Sequence, residues 1–113
     1  MNVQDLVSPL GLTVVTDGGL DRAIVGGYAS DLLSCVMSKA QPGFVWVTLQ
    51  AHPNVVAVAS MLDLACVIIT EGVRADMETA SRAQENGVTL LGSPDTTFAV
   101  VSKLARLGVT AGG

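Results

Sequence analysis

The sequence predicts a single α/β domain with a mostly parallel sheet of about five strands flanked by helices, on three observations. Short apolar runs rich in β-branched residues alternate with helical segments. From Phe44 to Leu107 the order reads β-α-β-α-β-α with short connections, a spacing that gives right-handed crossovers and helices packed on a parallel sheet. The 113 residues contain no linker, internal repeat or low-complexity tract, and that length suits one domain, typically roughly 100–150 residues. Residues 1–113 are therefore read as one unit, with helices on one or both faces of the sheet.

The elements follow in order. Residues 2–8 form a short helix ending near Pro9-Leu10-Gly11. Residues 12–16 (LTVVT) are β-branched and read as a strand, and Asp17-Gly18-Gly19 is a turn. Residues 23–28 read as a short irregular strand in which Gly26-Gly27 allows a bend or bulge. Ser30 or Asp31 caps a helix to about Lys39 with Leu32, Leu33, Val36 and Met37 on one face, and Gln41-Pro42-Gly43 stops it. Residues 44–49 (FVWVTL) are a strand. Pro53 is placed as a first helical residue, and apolar residues surround the helix it begins, so that helix should be largely buried. Residues 65–70 (ACVIIT) form a continuous apolar run, the mark of an interior parallel strand. Residues 75–86 are an amphipathic helix stopped by Gly87, and residues 88–91 a short strand. Ser93-Pro94-Asp95 opens a last helix that ends near Leu107-Gly108.

Composition narrows the function. Half the residues are hydrophobic and only 14% are charged, against ~25% in an average soluble protein. So small a domain with so little charge leaves apolar surface uncovered, which predicts self-association, with a homodimer as the expected state. Residues 23–28 and the helix after them are the expected interface. The net charge is −4 and the six Lys and Arg residues are scattered, which argues against nucleic acid and anionic membranes as partners. Met1-Asn2-Val3-Gln4-Asp5 lacks the basic start of a signal peptide, and Ser60 and Asp63 interrupt the most apolar stretch. Cys35 and Cys66 fall in apolar patterns and form no metal or redox motif, so buried free thiols in a cytoplasmic protein are expected.

Ligands of open parallel sheets bind beyond the carboxyl ends of the strands. Here those ends carry Gln50, His52 and Asn54, then Thr70, Glu71 and Gly72, then Ser93, Asp95 and Thr96. They hold the chain's only histidine and most uncharged polar side chains of its second half, and these candidate ligand-binding residues should surround one surface depression. Each also has a plain structural role: Ser93 or Asp95 as an N-cap, Gly72 as a turn glycine, His52 as the tie of its loop. The sequence contains no Walker, GxGxxG or GxSxG motif. It assigns no catalytic residue, no metal ligand and no cofactor; a metal held by His52, Glu71 and Asp95 has no ligand spacing behind it.

At these strand ends the chain resembles the DRTGG domain, which is related to the N-terminal domain of HPr kinase/phosphorylase and is found beside CBS domains and in phosphotransacetylases. The resemblance covers nearly the whole chain. Its carriers are Asp21-Arg22 with Gly26-Gly27, then Val47-Thr48-Leu49-Gln50-Ala51-His52-Pro53-Asn54, Ile68-Ile69-Thr70-Glu71-Gly72, and Ser93-Pro94-Asp95-Thr96-Thr97-Phe98. This chain has Leu-Gln-Ala-His where the family commonly shows Gly-Asp-Arg after the middle strand. It has Thr-Glu-Gly where Thr-Gly-Gly is common. The resemblance implies an HPr kinase N-terminal-domain-like fold and a regulatory role. Helix starts at Pro53 and Pro94 would favour an anion, whereas Glu71 adds negative charge to the same edge. A neutral polar ligand, or a cation bridging Glu71 and an anion, is expected ahead of a bare phosphate.

Three functions compete. The first is a non-enzymatic regulatory module that dimerises and senses a small ligand or a protein partner at the strand ends. The second is a small enzyme using His52 with Asp95 or Glu71 as acid and base. The third is a purely structural interaction domain. The short chain lacks a nucleophile–base signature. Gln50, His52, Asn54, Thr70 and Asp95 are more polar chemistry than helix capping needs. The first reading is preferred.

Overall fold

Strands β3 (Phe44–Thr48) and β4 (Cys66–Ile69) are buried at every residue, so both faces of the sheet need a cover. The structure, a computed structural model, describes residues 1–112. Around these two strands it places β1 (Thr13–Thr16), β2 (Gly26–Ala29) and β5 (Leu90–Gly92), in the order β1-β5-β4-β3-β2. Strands β2 to β5 are parallel, with Tyr28 beside Trp46, Trp46 beside Val67 and Val67 beside Leu90. Strand β1 runs antiparallel on the outside of β5, with a register irregularity between Val14 and Thr16.

The connections β2-β3, β3-β4 and β4-β5 each step one strand in the same direction, so right-handed crossovers put their helices on one face. Helices α2 (Leu33–Lys39), α3 (Pro53–Met61) and α4 (Met77–Glu85) pack there, joining Val36, Val55, Val56, Val58, Ala59 and Ala83 to a core with Trp46, Val67, Ile69 and Leu90. The opposite face is covered by α1 (Gln4–Leu10) and α5 (Thr97–Arg106), whose Leu6, Leu10, Val100 and Leu104 meet Val45, Val47, Ile68 and Leu91. The result is three layers with a mostly parallel sheet, the fold class that the alternation of elements predicts.

Local boundaries depart from expectation where a long-range contact outweighs a local signal. Pro9 lies inside α1 and does not end it. Burial of Leu6 and Leu10 on the same helix face holds the last turn, and Gly11 closes it in the left-handed region at φ 61°. Asn2 and Asp5 start this helix by exchanging hydrogen bonds, 2.8 and 3.0 Å, each side chain accepting from the other's backbone N–H. Helix α2 starts at Leu33 without a side-chain cap. Ser30 Oγ accepts from Leu32 N at 3.1 Å, while Asp31 turns to the end of β3. The expected apolar face of α2 is only partly used: Val36 is buried, but Leu32 and Met37 are exposed. Helix α3 begins at Pro53 as expected, but it is not enclosed: Val55, Val56, Val58 and Ala59 are buried on one face, while Asn54, Ala57, Ser60 and Met61 are exposed.

The turn after β1 shows why a glycine stands at position 18. A side chain there would overlap the backbone carbonyl of Gly87, at the end of α4. Gly18 N donates to Thr89 Oγ1 at 2.8 Å in the same approach. The β2 edge is also closely approached: Gly27 N donates to Thr110 O at 2.8 Å, so the C-terminal residues run along the outer side of β2. Part of the segment expected to form a dimer interface is thus covered by the chain itself.

Candidate functional site

The parallel strands bring the loops after β2, β3, β4 and β5 to one edge of the sheet. At the end of β3, Thr48 is buried and its Oγ1 donates to Asp31 Oδ1 at 2.8 Å. Leu49 N donates to the same carboxylate oxygen at 2.9 Å, and Gln50 N donates to Thr48 Oγ1 at 3.1 Å. His52 is exposed and caps α3: its Nδ1 accepts from Asn54 N at 3.1 Å, which requires that nitrogen to be unprotonated. Thr79 Oγ1 donates to Ala51 O at 3.0 Å and fastens this loop to α4. A small hollow of about 180 Å³ opens here, lined by Leu33, Gln50, His52, Asn54 and Val55.

The loops after β4 and β5 are laced to each other. Thr70 is buried, with its Oγ1 2.6 Å from Thr97 Oγ1. Glu71 adopts the left-handed conformation at φ 62°, and its Oε2 accepts from Thr97 N, at the start of α5, at 2.7 Å. Glu71 N and Gly72 N donate to the carbonyls of Asp95 and Ser93, at 2.8 and 3.0 Å. Ser93 is buried, and its Oγ accepts from Asp95 N at 3.1 Å. Asp95 pairs with Lys103 at 2.8 Å. Because these loop bonds hold residues 93–95, α5 starts later than the sequence suggests. Thr96, and neither Ser93 nor Asp95, is its cap, accepting from Ala99 N at 3.1 Å. A second, larger hollow of about 540 Å³ lies beside these loops, over β1, β5 and β4.

The candidate residues therefore divide. Gln50, His52 and Asn54 line the small hollow, and Gly72 and Ser93 line the large one. Thr70, Glu71, Asp95 and Thr96 belong to the hydrogen-bonded framework that seats α5. His52 is hydrogen-bonded to neither Glu71 nor Asp95; those carboxylates engage Thr97 N and Lys103. Among the described residues, no group of three His, Cys, Asp or Glu side chains is placed to hold a metal ion. Asp31 is the member that sequence reasoning missed. The signal was its position just after β2, the fourth parallel strand, whose carboxyl end lies on the same edge.

Two ionisable groups, Asp76 at the start of α4 and Cys66 at the amino end of β4, show what their surroundings do. The backbone N–H of Thr79, donated to the Asp76 carboxylate, holds that carboxyl below its ordinary value. Burial pushes the Cys66 thiol up to about 12, so it is an inert core residue. Cys35, expected to be buried too, is only half-buried.

Comparison with known proteins adds to this geometry. The family model of the DRTGG domain matches residues 20–107. Among solved structures, the chain is similar to the CBS and DRTGG domains of the regulatory region of Clostridium perfringens pyrophosphatase, crystallised with its activator diadenosine tetraphosphate. That likeness has a TM-score of 0.74 at 12% identity, over 98% of this chain and 48% of that one, and so is a likeness of fold. The chain spans about half the length of that solved chain. No curated protein sequence matches it.

Proposed function

The chain belongs to the DRTGG domain family, and from that premise we propose that it is a non-enzymatic regulatory module that dimerises and senses a small ligand at the carboxyl ends of its parallel strands. The observation that carries this reading is how the polar groups of that edge are used. Asp31, His52, Glu71 and Asp95 each hold a loop or a helix start. None is arranged as a nucleophile–base pair, yet two hollows open beside the loops they hold. Rigid loops around open hollows suit recognition better than acid–base catalysis.

The similar regulatory region was crystallised with a nucleotide, diadenosine tetraphosphate, which makes nucleotides the first ligands to try here. For dimerisation, the exposed Leu32, just before α2, and Met37 within it support an interface on that helix. The proposed setting is the cytoplasm, with no nucleic-acid or membrane partner. Net charge −4 supports the former exclusion, and among the described residues no helix is long and apolar enough to cross a membrane.

A thermal-shift screen of nucleotides, anions and divalent metals, paired with light scattering, tests this reading. The expected result is a dimer at tens of micromolar, roughly where an interface of standard size holds, stabilised by at least one ligand. A monomer that no ligand stabilises would leave a structural interaction domain as the better account.

A further inference from the structure

We infer that the larger hollow, over β1, β5 and β4, is the ligand pocket, and that it takes a flat-ringed organic anion of mononucleotide size. This narrows the ligand-sensing reading above and rests on it. Three independent observations meet there.

The first is a glycine that the fold does not need. Gly92 lies in β5 outside the left-handed region, and a Cβ built on it would approach only Val15 Cγ2, at 3.9 Å. Neither backbone conformation nor crowding therefore requires glycine. In a strand, glycine is the unfavourable choice, and it often marks a place where a ligand lies against the backbone. Here the missing side chain leaves an open floor between Val15 and Ile69, on which a flat ring can rest.

The second observation is charge. The sequence puts Glu71 on this edge as an obstacle to anions, but its carboxylate is turned to Thr97 N at the start of α5. That helix covers the opposite face of the sheet. Asp95 is matched by Lys103. Arg74 lines the hollow and, among the described residues, makes neither an ion pair nor a side-chain hydrogen bond. A free guanidinium at the rim of an apolar floor suits a carboxylate or phosphate, to which it can donate in a bidentate manner.

The third is polar capacity inside the hollow. Ser93 also lines it and is buried. Its Oγ accepts from Asp95 N, and among the described residues no group accepts its hydroxyl proton, which is free to be donated to a ligand. The volume, about 540 Å³, lies within the range of small-molecule sites, about 300–1,000 Å³.

The experiment is calorimetric titration of the full chain with adenosine 5′-monophosphate, adenosine, inorganic phosphate and benzoate. The chain should bind the nucleotide, bind benzoate more weakly, and bind adenosine or phosphate alone far less. Gly92→Leu fills the floor and should abolish binding with the melting temperature kept or raised. Arg74→Gln, at an exposed position, should weaken nucleotide binding by about tenfold or more, the worth of a charged hydrogen bond, and His52→Ala should leave it unchanged. Undiminished binding in Gly92→Leu and Arg74→Gln, with loss in His52→Ala, would overturn this assignment and move the ligand to the small hollow, leaving the sensing function standing. The same holds if only a neutral or cationic ligand from the wider screen binds. Dissociation of a dimer by Gly92→Leu without nucleotide binding would make the hollow a protein interface and would also overturn the assignment. No binding by any compound would remove both readings together.

Discussion

Two carboxylates, Asp63 and Asp76, do structural work that depends on pH. The guanidinium of Arg22 hydrogen-bonds both oxygens of Asp63, each at 3.0 Å, and holds its carboxyl below the ordinary value of 3.8. Asp76 accepts from Thr79 N at 2.8 Å and caps α4, with the same direction of shift. A carboxyl whose folded pKa is depressed stabilises the fold above its unfolded value, and that stability disappears as pH falls through the folded value. The melting temperature should therefore fall below about pH 4, and Asp63→Asn with Asp76→Asn should flatten that fall. An equally steep acid transition in the double variant would assign acid sensitivity to other groups. Thr96→Ala removes the cap of α5 and should cost about 1 kcal/mol in urea unfolding. The thiols should also differ: Cys35, half-buried, reacts with a thiol reagent in the native protein, whereas Cys66, with its pKa near 12, reacts only after unfolding.

At the scale of elements, helices and strands are fastened by contacts between loops as much as by their own caps. The turn after β1 lies against the end of α4, where Gly18 leaves room for the Gly87 carbonyl. Gly18→Ala should destabilise by about 1–3 kcal/mol, as overpacking does, and denaturant unfolding measures it. A neutral result would show that the turn can move away. Helix α2 behaves differently. Its Val36 is buried, whereas Leu32 and Met37 face outward, so serine at both outward positions should leave the fold intact. If α2 is the dimer interface, that double variant should be a monomer in light scattering. A dimer of unchanged affinity would move the interface elsewhere.

At the scale of the whole molecule, both sheet edges are unsuited to simple strand addition. The register irregularity after Val14 breaks the β1 edge, and the Thr110 carbonyl occupies Gly27 N on the β2 edge. The proposed dimer is therefore expected to form through a helical face. Trp46, the only tryptophan, is fully buried in the core under α2 and α3, and its Nε1 donates to Ser30 O at 2.9 Å. Its fluorescence should report global unfolding, coinciding with circular dichroism if the domain is two-state. Gel-shift at physiological salt should detect no binding of DNA or RNA to this acidic chain; tight binding would contradict the charge argument.

The order of elements, the parallel character of β3 to β5 and the burial of β3 and β4 are legible in the residues alone. Those properties come from hydrophobic period, run length and glycine–proline punctuation, all of which act between near neighbours along the chain. The sequence also placed Gln50, His52, Thr70 and Ser93 on the carboxyl edge, because chain direction alone requires that in a parallel sheet. Tertiary structure decided which of those groups meet. Glu71 goes to Thr97, Asp95 to Lys103 and Asp31 to Thr48. Those pairings split the expected single depression into two hollows and moved the cap of α5 from Ser93 or Asp95 to Thr96. They depend on which strands are adjacent and in what register. The antiparallel place of β1 beside β5 shows the same dependence: no local pattern in TVVT says which edge it joins, because that follows from packing α1 against the face that α2, α3 and α4 leave open.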